Sequence, residues 1–151
     1  MSSSAPRTGL VTCGTGLMAE RHESGVLDTC AYIDLDMLDP ASLPRIPEIT
    51  AITMAELHQG VAMARDPATR AARTEKLGAA IVDFEPLPFD SAAATRYGTL
   101  VALTLEANRD PRPGRMDLLI AAVASAQGLP LYTRNGSDFA GLRDMVEVVT
   151  V

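Results

Sequence analysis

Between residues 118 and 126 the chain reads LLIAAVASA, apolar or small at nearly every position. A helix built on this stretch has no polar face, so it belongs in a core. Gly128, with Pro130 behind it, ends that helix, and residues 129–133 read as a short buried strand. The same logic divides the rest of the chain. Residues 26–29 (VLDT) read as a buried strand ending in an acid, and residues 30–38 continue as helix. Pro40, Pro44 and Pro47 mark a loop, residues 49–52 a second strand, and Thr53 opens the next helix with Glu56 at the T-x-x-E spacing of a capping box. Asp66-Pro67 is a cap followed by a first-turn proline and predicts a helix to about Val82. Residues 84–89 form an extended, proline-broken piece with the character of an edge strand. Asp90 caps a helix whose Ala93, Tyr97, Leu100, Val101 and Leu105 fall on one stripe, and residues 145–151 close the chain as a β-rich strand.

Short strands alternating with helices predict an α/β fold, a parallel central sheet flanked by helices on both faces. Residues 1–25 carry Ser, Gly, Thr and Pro without hydrophobic periodicity and read as a loose N-terminal arm, leaving 26–151 as the domain. With 151 residues, 47% of them hydrophobic, the chain has material for one full core. No apolar run approaches the length of a bilayer span, so no membrane association is expected. Gly14, Thr15 and Gly16 interrupt the only candidate for a secretory leader. Two cysteines, Cys13 and Cys30, are too few for a disulfide framework or a zinc site and favour a reducing, cytoplasmic setting. A net charge of −6 argues against a broad basic surface for nucleic acid and leaves room for a local strip. The densest positive segment is the loop 109–115, RDPRPGR, which abuts Asp117.

In a parallel sheet, ligands bind beyond the carboxyl ends of the strands. Asp28, Glu56 and Asp138 each follow a predicted strand, and Asp117 opens a helix that points to the same edge. Each acid alone has an ordinary explanation as a cap or turn residue. Four together would repel unless something positive sat among them, and a hard divalent cation with oxygen ligands is the natural partner.

The combination VLDT, AEL, DLLIAA and TRNGSDF resembles the PIN-domain nucleases, most closely the VapC-type toxins of bacterial toxin–antitoxin pairs. The resemblance runs from Val26 onward and departs from the usual pattern at Cys30, where Ser or Asn is more common. It implies an Mg²⁺- or Mn²⁺-dependent endoribonuclease with Asp28, Glu56, Asp117 and Asp138 as its acidic quartet and Thr29, Thr133 and Asn135 as supporting polar positions. Asp28, Asp117 and Asp138 would then be the metal ligands, direct or through water, with Glu56 orienting water or a second metal. Arg112, Arg115 and Arg134 are the candidates for holding RNA phosphates. The resemblance also implies a homodimer and a cognate antitoxin whose C-terminal segment covers the acidic groove with a basic residue.

Such chemistry needs no histidine, because a cation lowers the pKa of its water and shields the charge growing on the phosphoryl oxygens. His22 falls in the arm, and His58, two positions from Glu56, lies on another face of its helix. Two other classes remain open. A metal-dependent phosphatase would place a nucleophilic Asp in a D-x-D motif after the first strand, whereas Asp34-x-Asp36 falls within the first predicted helix. A PIN-like binding module without activity would be marked by loss of one of the four acids, and all four are present.

Overall fold

The structure, a computed structural model, describes residues 21–151. Residues 1–20, with most of the expected arm and Cys13, lie outside the described residues. The sheet is built from four short strands, two of them at its edges. β1 (Ser24–Leu27) is flanked by β2 (Ile46–Glu48) and β3 (Leu131–Thr133), and β4 (Val148–Thr150) lies beyond β3, giving the order β2-β1-β3-β4 with every pairing parallel. The register sets Val26 beside Leu131 and Leu27 beside Tyr132. Because side chains alternate along a strand, these pairs feed opposite faces.

On one face Val26, Leu131 and Val148 pack with Leu100 and with Leu118, Ile120 and Ala121, the buried sides of α4 (Ser91–Glu106) and α5 (Arg115–Gln127). On the other, Leu27 and Tyr132 pack with Ala31, Tyr32, Leu57, Leu77 and Ala80, contributed by α1 (Thr29–Ile33), α2 (Ala51–Ala62) and α3 (Pro67–Asp83). Both faces are therefore covered, as parallel sheets require. α5 is the expected core helix, with six consecutive-turn residues from Leu118 to Ala124 buried and Gly128 closing it in the left-handed conformation at φ 67°. Asp66 and Asp90 cap α3 and α4 by accepting the N–H of Thr69 and Ala93. None of the described helices is long and apolar enough to cross a membrane.

Several boundaries move, each for a local reason. The second strand is Ile46–Glu48 rather than 49–52, and Pro47 lies within it. A proline is tolerated there because β2 is the edge of the sheet. The helix behind it starts earlier, since Thr50, not Thr53, is the cap: its hydroxyl accepts the Thr53 N–H. Glu56 is thus in the second turn of α2 and belongs to no capping box. Residues 84–89 contribute a single bridge, Thr50 to Leu87, and no strand. The helix expected over 30–38 gives way after Ile33 to a 3₁₀ turn, Leu35–Met37, and Leu105 on the expected core stripe of α4 is 57% exposed. The tail of the expected arm is also structured. Arg21 Nε donates to Leu43 O at 2.6 Å, and the backbone N–H groups of Arg45 and Ile46 reach His22 O and Glu23 O. His22 Nε2 lies 2.9 Å from Glu147.

Candidate active site

Asp28 stands one residue beyond β1, where the chain turns from strand to helix. Its Oδ1 accepts the Ala31 N–H at 2.8 Å, so it does cap α1. That bond leaves the second carboxylate oxygen for other work. The Thr133 hydroxyl, at the end of neighbouring β3, accepts the Asn135 N–H at 3.1 Å and stands near enough to this carboxylate to favour its charged form. Asp28 is only 4% exposed, and burial outweighs the influence of Thr133 and the Ala31 N–H to push its pKa above the ordinary carboxylate value, with the charge of Asp138 adding to the rise.

Glu56 is aimed into the same region by a hydroxyl. Thr29 Oγ1 donates to Glu56 Oε1 at 2.7 Å and lies 3.1 Å from the hydroxyl of Thr53, which is wholly buried. Thr29 thus links Glu56 to Thr53, a residue whose spacing alone predicts a cap. Asp117 lies in the first turn of α5, whose N-cap is Gly114 with no side chain capping it. The Asp117 carboxyl is raised to about 6, first by burial and then by the charges of Asp28, Glu56 and Asp138. Asp138 sits in the 3₁₀ turn Gly136–Phe139 that follows β3, and it is exposed. That turn is pressed against β4. A Cβ at Gly136 would collide with the Thr150 hydroxyl.

The four expected acids therefore come together electrostatically at the carboxyl edge of the sheet. Their chemistry fits a hard divalent cation: all are oxygen donors, and Asp28 and Asp117 are held above their usual pKa in a way that a positive charge would reverse. Among the described residues no group of three or more His, Cys, Asp or Glu side chains stands in an arrangement that by itself would hold a metal ion.

The arginines divide. Arg134 Nη1 is paired with Asp34 at 2.9 Å, and Arg112 forms a two-pronged pair with Asp110, with contacts of 3.0 and 3.2 Å. Both pairs are exposed or half-exposed and so exchange at little cost. Arg115 opens α5 and is exposed. Arg109 was not singled out by the sequence, yet its Nη1 donates to Ser137 O at 3.2 Å and Asp138 O at 3.1 Å. It ties the loop before α5 to the turn that carries Asp138. The basic character of 109–115 was legible, but which of its arginines faces the acids depends on the path of the loop. Asn135 is exposed at the start of the 3₁₀ turn, and its side chain does not cap it.

No family model matches the chain. It is 37% identical over 139 residues, 89% of its length, to Ribonuclease VapC5 of Mycobacterium tuberculosis, all of which is covered. Among solved structures, the VapBC-5 toxin–antitoxin system of Mycobacterium tuberculosis matches with a TM-score of 0.76 and 38% identity, over 85% of this chain and 99% of that one. FitAcB of Neisseria gonorrhoeae matches with a TM-score of 0.61 and 28% identity, over 83% of this chain and 96% of that one.

Proposed function

The chain belongs to the VapC family of PIN-domain ribonuclease toxins, and from that premise we propose that Asp28, Glu56, Asp117 and Asp138 bind Mg²⁺ or Mn²⁺ for the hydrolysis of RNA phosphodiesters. It is an endoribonuclease, the toxin of a toxin–antitoxin pair, and its protein partner is the cognate antitoxin. The observation that carries the metal reading is the raised Asp117 carboxyl among three other acids drawn from separate elements. When bound, the cation supplies an activated water near neutral pH and positive charge for the phosphoryl oxygens.

The chain's own groups do the placing. Asp28 is fixed by the Ala31 N–H, and Glu56 is fixed by Thr29. Asp28, Asp117 and Asp138 are the ligands, direct or through water, and Glu56 orients water or a second ion. Arg115 holds a substrate phosphate directly, while Arg112 and Arg134 do so by leaving Asp110 and Asp34. The uncapped start of α5 adds backbone donors of the sign that a phosphate needs.

The test is to incubate end-labelled RNA with the protein in Mg²⁺, Mn²⁺ or EDTA and to identify the new termini. Cleavage should require the cation and leave 5′-phosphate and 3′-hydroxyl ends, since the 2′-hydroxyl takes no part. Cyclic 2′,3′-phosphate ends formed in EDTA would sink the mechanism. Co-expression with the neighbouring antitoxin should give a salt-sensitive complex without nuclease activity. We also propose a homodimer, for which light scattering should read twice the 16.0 kDa chain mass.

A further inference from the structure

The loop after α4 and the start of α5 border a cavity of about 520 Å³ that is continuous with the acids. Its walls are mixed: Pro111, Pro113, Leu118 and Phe139 supply apolar surface beside Thr104, Asp110 and two of the acids, and Arg109 stands among them. Asp117 and Asp138 form part of the same lining, so whatever occupies the cavity touches the residues at which the phosphodiester is expected to react.

A slot with apolar walls on one part, polar groups on the other and a guanidinium in it, continuous with a phosphate-cutting site, has the chemistry of a base subsite. Single-stranded RNA is read by splaying a base out and seating its faces on flat apolar or guanidinium surfaces. The volume lies within the range of small-molecule pockets and admits a purine. Arg109 gives one nitrogen to the carbonyls of Ser137 and Asp138. Its remaining donors would meet the base, and the paired acceptors O6 and N7 of guanine are the edge that an arginine matches best.

We propose that this cavity binds one unpaired nucleobase next to the scissile phosphate, with guanine preferred, and that Arg109 is its specificity residue. The inference rests on the ribonuclease reading and deepens it. The toxin then selects single-stranded positions, because a paired base cannot enter, and it discriminates sequence at one position flanking the cut.

Binding of three fluorescein-labelled hexamers tests this: oligouridine, oligouridine with one central guanosine, and a base-free strand of tetrahydrofuran spacers. Anisotropy is read in EDTA and in Ca²⁺, which neutralises the acids while cutting is avoided. The guanosine hexamer should bind the parent about ten-fold or more tightly than the base-free strand, within the range of one stacked base. Gly114 lines the cavity, has an ordinary backbone conformation at φ −95°, and has nothing within 4 Å of an added Cβ. Gly114→Trp should fill the space and abolish the difference between the guanosine hexamer and the base-free strand. Arg109→Ala should remove the preference for guanosine over oligouridine. A circular dichroism spectrum and melting temperature like the parent's show that either variant is folded. The inference is overturned if the base-free strand binds the parent as well as the others do, or if Gly114→Trp leaves the difference intact. The metal reading is judged separately: should Ca²⁺ fail to strengthen the base-free strand, that reading loses support while the base difference still decides the cavity.

Discussion

Asp117 is the residue on which burial and like charge press hardest. In the unfolded chain its carboxyl titrates near 3.8 and in the folded protein near 6. Between those values the folded state holds a proton that the unfolded chain has released, so stability falls as pH rises through the window. In EDTA, Asp117→Asn should therefore melt higher than the parent above pH 6 and lose that advantage below about pH 4, the window set by the two titration points. Solvent around the half-exposed carboxyl and the loss of a favourable first-turn charge both reduce the gain. Cation reverses the order. Mg²⁺ at a hundred times its dissociation constant should stabilise the parent by about 2.7 kcal/mol and the variant far less, while the variant's cleavage rate drops by about 10²-fold or more, as when a charge-stabilising group is removed. A parent whose melting ignores both pH across this window and Mg²⁺ would reduce the acids to caps. Thr29 offers a finer probe. Thr29→Val removes the donor to Glu56 and should lower kcat about ten-fold, the worth of one hydrogen bond to a charged group, with Thr29→Ser restoring it. Equal rates for Val and Ser would mean that the bond does not position Glu56.

Elements carry the acids, and here the sequence was legible unevenly. The core helix α5, the caps of α3 and α4 and the β1-to-Asp28 junction could all be read, because each rests on a strong local signal: an apolar run, an Asp three residues before its bonded N–H, a buried strand ending in an acid. The start of α2 could not. Thr50 and Thr53 share the same local chemistry, and the choice between them is made by β2, whose Pro47 looks like a loop until the edge position is known. That shift matters to the site, since it frees Glu56 from a capping role and hands it to Thr29. Arg109 was hidden for a similar reason: no local pattern says how a Pro-rich loop folds back on a distant turn. The Asp138 turn yields a test at this scale. Gly136→Ala should strike Thr150, shift the turn and destabilise the protein by about 1–3 kcal/mol, a usual cost of overpacking, with activity falling further than stability explains. Adding Thr150→Ala should restore most of both. Failure of the second change to rescue the first would place the fault elsewhere than in the contact with β4.

Over the whole molecule, an acidic protein of net charge −6 must engage a polyanion through a small positive area. If Arg112, Arg115 and Arg134 each meet one phosphate, affinity for single-stranded RNA should fall with a log–log salt slope of about 2, at roughly 0.7 per contact. Arg115→Ala should lower that slope by about 0.7, and an unchanged slope would remove Arg115 from the interface. The sheet order carries a different consequence. β1 lies between β2 and β3, and Val26 finds Leu131 only after nearly all of the helical sequence has been made. Pairing of strands so distant in sequence is slow, because a long loop must close before any contact rewards it. Until it happens, Asp28 has no Thr133 beside it and the turn bearing Asp138 has no strand to follow. A half-made or clipped chain can thus hold three of the four acids and still be no nuclease. Its host is spared every fragment that stops short of β3, and production of residues 1–130 alone should leave growth untouched.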